Sequence, residues 1–329
     1  GVGSGLLDER IERTFSGKGE EVLEANKKAA ARGHAFGKEI AEKEGLSLEL
    51  DLDDAVADDI VISGGEAVSL GAIAGGCNFI SSYPMSPSTS VLVFLSQNAQ
   101  RLGLVAEQAE DEISAINMAL GAWYAGASAM VTTSGGGFAL MVEGLSLAGM
   151  IESPMVIHLG QRPGPATGLP TRTGQEDLLF ALRAGHGFFP RAIFAPGTIE
   201  EAYELSRKAF DLADSLQIPV IVLTDQHLVD SVRNLGELDT GGQEPVKGFV
   251  ETAADYRRFE ITDDGISPRG VPGHGEGLVM VDSDEHDEYG RITEDRDVRR
   301  AMVEKRLRKA QKVREAALAP VLTGGDEYE

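Results

Sequence analysis

From Ile60 to Leu223 the sequence alternates short apolar runs with longer stretches of helical character, and this rhythm restricts the fold more than any other feature. The runs are Ile60–Ile62, Phe79–Ser81, Leu104–Ala106, Ala129–Thr132, Met155–Leu159, Ala192–Phe194 and Val220–Leu223. Helical patterns lie between them, near Glu66–Ala74, Thr89–Gln100, Asp111–Tyr124, Ala139–Met150, Gln175–Ala184 and Thr198–Ser215. Strands rich in Val and Ile, alternating with helices of about 10–17 residues, demand a parallel sheet covered on both faces. The expected fold class is α/β, a doubly wound parallel sheet over residues 55–250. Ligands of such sheets sit beyond the carboxyl ends of the strands, which draws attention to the loops at 81–90, 106–112 and 132–138. A fourth loop, 160–174, is long for an α/β connection.

The flanks read differently. Glu20–Lys43 is rich in Ala, Glu and Lys and predicts a helix. Glu49–Asp59 carries six acids and reads as a solvated linker. Residues 1–54 are thus expected to be the helical tail of a preceding domain with an acidic connection. Residues 251–320 read as an extended linker, glycine-rich at Gly270–Gly277, followed by a basic helix. Ten basic residues fall between Arg291 and Arg314 against four acids. Residues 321–329 look like the start of a further domain.

Charge and cysteine content exclude several functions. The chain has 53 acidic and 30 basic residues, a net charge of −23, which repels nucleic-acid backbones and anionic membranes. No window approaches the ~18 apolar residues of a membrane span. Gly1–Gly5 has no basic or apolar segment of a signal peptide, so a cytoplasmic location is expected. Cys77, the single cysteine, rules out a disulfide framework and a self-contained iron–sulfur cluster. Acid excess with 20 Arg against 10 Lys suits a halophilic chain kept soluble in concentrated salt; an ordinary acidic protein fits the same numbers.

Four loops offer chemistry. Ser82–Ser90 contains Tyr83, Pro84, Ser86, Pro87 and Ser88; prolines stiffen it, and its hydroxyls and helix start suit an anion such as a carboxylate, though an ordinary capped turn has the same composition. Glu107–Glu112 is acidic. Glu112 shares a helical face with Ile116, Ala119 and Trp123, so its carboxylate is expected to point inward, where a retained proton can be placed on a ligand nitrogen. A dipole-compensating acid is the alternative. Thr132–Phe138 brings Gly135, Gly136 and Gly137 to a helix start, allowing close backbone approach, but lacks the Lys-Ser/Thr of a phosphate loop. Gln161–Thr173 holds Arg162 and Arg172 in a Gly/Pro-stiffened loop, and arginine is suited to bidentate carboxylate binding. His158 reads as a buried strand histidine and His286 as part of a solvated acidic loop.

Taken in order, Tyr83–Thr89, Glu110–Ile113, Thr133–Phe138, Arg162–Thr171 and Asp284–Gly290 resemble the α subunit of the 2-oxoacid:ferredoxin oxidoreductases of 2-oxoglutarate or pyruvate type, from about Ile62 to Arg308. The resemblance implies the pyrimidine-binding half of a thiamine diphosphate site, lined by Tyr83, Pro84, Glu112, Gly135 and Gly136. Glu112 would hydrogen-bond N1′ of the aminopyrimidine and favour the imino tautomer that deprotonates the thiazolium. Ser86 and Arg162 match positions binding the substrate 1-carboxylate, and Arg172 would meet a distal carboxylate, which favours 2-oxoglutarate over pyruvate. The implied reaction is coenzyme A-dependent oxidative decarboxylation with reduction of ferredoxin.

Two positions depart from the family pattern: Ser86 replaces Thr and Gly136 replaces Pro. A Gly-Asp-Gly…Asn signature for magnesium diphosphate is missing, as are cluster cysteines. The resemblance therefore implies that a β subunit supplies diphosphate and magnesium binding and the iron–sulfur cluster, in a heterodimer or dimer of heterodimers, and that the first residues end a γ-type domain. The Arg291–Arg314 helix either docks an acidic partner such as ferredoxin or pairs with the chain's own acids. A non-oxidative thiamine-dependent decarboxylase subunit and a catalytically dead scaffold remain alternatives.

Overall fold

A computed structural model describes residues 4–46, 53–238, 245 and 247–319, arranged as two compact units that divide between Asp58 and Asp59. In the first, α1 (Ser4–Phe15) and α2 (Glu20–Glu44) form a helical hairpin. Lys27 Nζ lies 2.6 Å from Glu12 Oε1 between them, and Gly45, at φ 63°, closes α2 in the left-handed conformation. Of the acidic linker, Glu49–Leu52 lie outside the described residues; Asp53 caps a short 3₁₀ turn at Asp54–Val56. Residues 321–329, expected to begin another domain, also lie outside them.

The second unit is built on six parallel strands. In chain order its strands and helices begin with β1 (Ile60–Ser63), α3 (Gly64–Ala74), β2 (Phe79–Ser82), α4 (Thr89–Leu102) and β3 (Val105–Gln108). There follow α5 (Glu112–Tyr124), β4 (Ala129–Thr133), α6 (Gly135–Met150), β5 (Met155–Gln161) and α7 (Leu178–Arg183). Then come β6 (Ala192–Phe194), α8 (Ile199–Leu216), β7 (Pro219–Asp225), α9 (Gln226–Asp230) and β8 (Val232–Leu235). The sheet order is β3-β2-β4-β5-β7-β6. Every residue of β4 and β5 is buried, as the unbroken apolar runs require of central parallel strands. Helices α3, α4 and α8 pack together, and α5 packs on α6. The chain steps from β2 outward to β3, then returns across β2 to β4, so the winding reverses between β2 and β4.

Ile60–Ile62 forms a strand but not one of this sheet: β1 pairs antiparallel with β8. Ser63 at its end already caps α3, in a capping box with Glu66, and a Cβ on Gly64 would strike the Leu228 carbonyl. The strand is held against the α9–β8 turn and cannot reach the sheet edge. Helix α6 begins at Gly135, four residues ahead of the apolar pattern, because Ser134 sets an extended N-cap and the glycines fit a crowded start. At α4, Ser88 does not cap; its hydroxyl donates to the Met85 carbonyl at 2.7 Å.

The C-terminal segment packs on the same unit. β9 (Phe249–Thr252) and β10 (Arg269–Gly275) pair in parallel, and α10 (Arg296–Glu315) buries Met302 and three basic side chains. His286 is fully buried rather than solvated: its ring stacks 3.9 Å from that of Phe259, and burial pushes its pKa down.

Candidate functional site

The winding reversal lies between β2 and β4, which sets the loop after β2 beside the start of α6, the place where doubly wound sheets bind ligands. Buried hydroxyls tie the strands and helices here together. Ser81 Oγ donates to the Ala115 carbonyl at 2.7 Å, tying β2 to α5, and Ser82 Oγ accepts from Thr132 N at 2.8 Å, tying β2 to β4. Beneath, His158 on β5 lies 2.6 Å from Thr132 Oγ1 and 2.8 Å from Thr224 Oγ1. Burial pushes its pKa down to about 4, so it is a neutral strand histidine, as the sequence suggested.

Glu112 stands at the first turn of α5, where Asp111 accepts from Ser114 N at 2.7 Å as the cap. Ile116, Ala119 and Trp123 continue its face into the core, and Glu112 is only 3% exposed. Its Oε1 is buried without a hydrogen-bond partner. An unpaired buried carboxylate oxygen costs free energy, so the position calls for a donor from elsewhere. The same carboxylate crowds α6: a Cβ on Gly137 would come within 2.5 Å of Glu112 Oε1. Two further unpaired buried oxygens border this helix start, Ser134 Oγ and Asp177 Oδ2. The first N–H groups of a helix add donors and positive potential there. Gly135 is equally confined, since its Cβ would lie 2.5 Å from the Asp177 carboxylate oxygens; at Gly136 the nearest atom is Ala166 O at 3.6 Å.

Arg162 follows β5 and is almost buried, with Nη1 donating to the Ser86 carbonyl at 2.7 Å. The two residues expected to bind one carboxylate are therefore joined directly. Beyond Arg162 the loop is closed at its base by Gly164 N donating to Glu176 Oε2 at 3.1 Å. Leu169 N donates to the Pro163 carbonyl and Arg172 N to the Leu169 carbonyl, which folds the loop on itself. Arg172 is exposed, its Nη1 on the Thr171 carbonyl, and the structure does not bring it to Arg162. Tyr83 is 40% exposed at the rim. Asp177 links the two halves: burial, reinforced by Glu176 and opposed by Arg162, pushes its carboxyl up. Gly137 was signalled by the glycine triplet, whereas Asp177 escaped sequence reasoning because nothing local marked it.

The arrangement provides a buried acceptor, a bare helix start and a positioned guanidinium, a set that fits thiamine diphosphate's aminopyrimidine on the Glu112 side. Among the described residues no group of three or more His, Cys, Asp or Glu side chains could hold a metal ion. None of the described helices is long and apolar enough to cross a membrane.

Known proteins share this sequence and fold. Residues 70–305 match the family described as "Pyruvate flavodoxin/ferredoxin oxidoreductase, thiamine diP-bdg". A 2-oxoacid:ferredoxin oxidoreductase subunit alpha of Aeropyrum pernix is 40% identical over 274 residues, covering 78% of this chain and 42% of that protein. The 2-oxoglutarate synthase subunit KorA of Archaeoglobus fulgidus is 42% identical over 212 residues, covering 63% of this chain and 61% of the relative. The solved 2-oxoglutarate:ferredoxin oxidoreductase from Magnetococcus marinus, with 2-oxoglutarate, coenzyme A and succinyl-CoA bound, superposes with a TM-score of 0.82 at 34% identity. That match covers 97% of this chain and 56% of the other. The chain thus spans about half the length of such relatives. A match of this extent, on a fold that leaves the buried Oε1 of Glu112 without a partner, makes the chain a member of the pyruvate flavodoxin/ferredoxin oxidoreductase family, in its thiamine diphosphate-binding region.

Proposed function

We propose that this chain is the α-subunit part of a coenzyme A-dependent 2-oxoacid:ferredoxin oxidoreductase, acting on 2-oxoglutarate ahead of pyruvate. The single observation that carries the reading is the buried, unpartnered Oε1 of Glu112 against Gly137. Bound thiamine diphosphate supplies the electron sink that lets a 2-oxoacid lose carbon dioxide. Glu112 holds a proton at N1′ of the aminopyrimidine, and low exposure strengthens that hydrogen bond. Tyr83, Pro84, Gly135 and Gly136 line the ring. Arg162 takes the substrate 1-carboxylate together with Ser86. Its bond to the Ser86 carbonyl fixes the guanidinium, so little side-chain freedom is lost on binding. Arg172, exposed on the same loop as Arg162, takes the distal carboxylate of 2-oxoglutarate.

A β subunit completes the site with the diphosphate and magnesium ligands and the iron–sulfur cluster that passes electrons to ferredoxin. The faces of α5 and α6 support this partner. Across both helices the only charged residues are Glu112, which is buried, and Glu143. Ile113, Met118 and Leu140 are exposed there. A surface this bare of charge, beside the glycine triplet, suits a protein interface.

The test is co-expression with the β subunit and measurement of coenzyme A-dependent viologen reduction across a panel of 2-oxoacids. The expected result is reduction with 2-oxoglutarate above pyruvate, lost in Glu112→Ala while the subunits still assemble. Release of aldehyde without viologen reduction, or turnover indifferent to Glu112→Ala, overturns the reading.

A further inference from the structure

Far from the glycine triplet, at the beginnings of β5 and β7, the structure concentrates charge that the proposed reaction does not use. Glu152 is 1% exposed and held at φ 49°, a left-handed backbone that a non-glycine residue rarely adopts. Its carboxylate pairs with two lysines of α10, Lys305 at 2.5 Å and Lys309. Arg258 stacks over Phe259 and donates to the carbonyls of Ile151 and Glu152 and to Gln217 Oε1. Next to Lys305 on α10, Arg306 pairs with Glu285 at 2.9 Å.

Four buried cations, Arg258, Lys305, Arg306 and Lys309, therefore share two carboxylates, Glu152 and Glu285. The other charged groups nearby do not correct the imbalance. Arg269 is paired with Asp214, the exposed Arg299 reaches Glu285 as a further cation at 3.3 Å, and burial pushes the His286 pKa down, away from the charged form. Lys305, lowered by burial to about 8, keeps its charge at neutral pH. Two uncompensated positive charges in a dry interior are costly, and this chain has 53 acids from which to find partners.

A small cavity lies at the centre of this excess. It has a volume of about 10 Å³, enough for one water-sized occupant, and is lined by Glu152, Gln217, Arg306, Lys309, Pro190 and Pro219. Arg306 is more than nine-tenths buried, yet its Nη1 has no hydrogen-bond partner. Lys309 is ion-paired with Glu152 Oε2, an oxygen of the cavity lining that has no hydrogen-bond partner of its own, and donates to the Gln217 carbonyl at 3.4 Å, which leaves protons of its ammonium unused. We infer that this cavity is a binding site for a small inorganic anion, chloride foremost, held between Arg306 Nη1 and the unused protons of Lys309.

The anion accounts for three observations together: the surplus charge, the unpaired Nη1 and the void between the two side chains. It locks α10 onto the sheet by neutralising the surface that the helix presents to it. The inference is independent of the reaction, so it stands or falls apart from the proposed function.

Two measurements on the intact protein decide it. Crystals grown in sodium chloride and measured at long wavelength are expected to show an anomalous peak in the cavity, which a water does not give. Thermal unfolding is expected at higher temperature in sodium chloride than in sodium gluconate of equal concentration, since gluconate is too large to enter. Lys309→Gln is expected to shrink that difference at least twofold. A cavity without anomalous signal, or unfolding temperatures equal in the two salts, overturns the site. So does stability that ignores the anion but rises with pH between about 8 and 10.5, the mark of a lysine that sheds its proton instead. If Lys309→Gln fails to fold, the two wild-type measurements still decide.

Discussion

The carboxylate of Glu112 and the hydroxyl of Thr133 together fill the space into which a side chain at residue 137 would project: a Cβ there would come within 2.5 Å of Glu112 Oε1 and closer still to Thr133 Oγ1. Gly137→Ala must therefore displace the glutamate, Thr133 or the start of α6. The expected outcome, in the assembled enzyme, is a loss of at least about tenfold in kcat and a loss of stability of about 1–3 kcal/mol, as for other overpacked cores. Steady-state kinetics and urea unfolding check both.

Replacing Glu112 by Gln keeps the shape and removes the proton-holding carboxylate. A drop in kcat of about 10²–10⁴ is expected, the usual scale for a positioned acid–base group. Circular dichroism and subunit assembly are expected to stay as in the parent.

The two arginines are expected to separate by substrate. Arg162→Lys loses the fork that holds the Ser86 carbonyl and is proposed to take the 1-carboxylate, so KM is expected to rise for every 2-oxoacid, by roughly tenfold or more for a charged hydrogen bond. Arg172→Ala raises KM for 2-oxoglutarate far more than for pyruvate. Equal effects on the two substrates remove the basis for preferring the dicarboxylate.

His158 gives a pH dependence with a definite sign. Its pKa falls from 6.5 to about 4 on folding, so the unfolded chain binds the extra proton first. Stability is complete above about pH 6.5 and is lost as the pH falls toward 4, by at most about 3 kcal/mol from this group. Unfolding midpoints between pH 7 and 4.5 measure the slope, and His158→Gln flattens it.

Much of this was legible in the sequence because it depends on local periodicity. β5 and β7 are short runs dominated by Val, Ile and Leu, and α5 announces its inward face by the spacing of Glu112, Ile116, Ala119 and Trp123. Features that depend on distant partners were not. Ile60–Ile62 has strand composition, but its pairing with Val232–Leu235 is decided 170 residues away in the chain. His286 lies among acids in sequence, yet its neighbour in space is Phe259.

The basic helix shows the same limit. Of the two readings of Arg291–Arg314, pairing with the chain's own acids is the one its buried side chains bear out, but which acids they meet could not be read from its residues. Lys305 and Lys309 meet Glu152, and Arg306 meets Glu285. At the candidate site, sequence marked Ser86 and Arg162 separately by residue type. Their direct contact needed the fold, as did the turn of the loop that leaves Arg172 in solvent.

The outer sides of α5 and α6 have a consequence for the isolated polypeptide. At −23, two copies repel one another over most orientations, and these two helices are where that repulsion has no local source apart from Glu143. Raising the ionic strength screens the long-range barrier while leaving Ile113, Met118 and Leu140 as greasy as before. Unaccompanied, the polypeptide is therefore set to self-associate through its uncharged flank as salt increases, a tendency that a bound companion subunit would suppress by covering it.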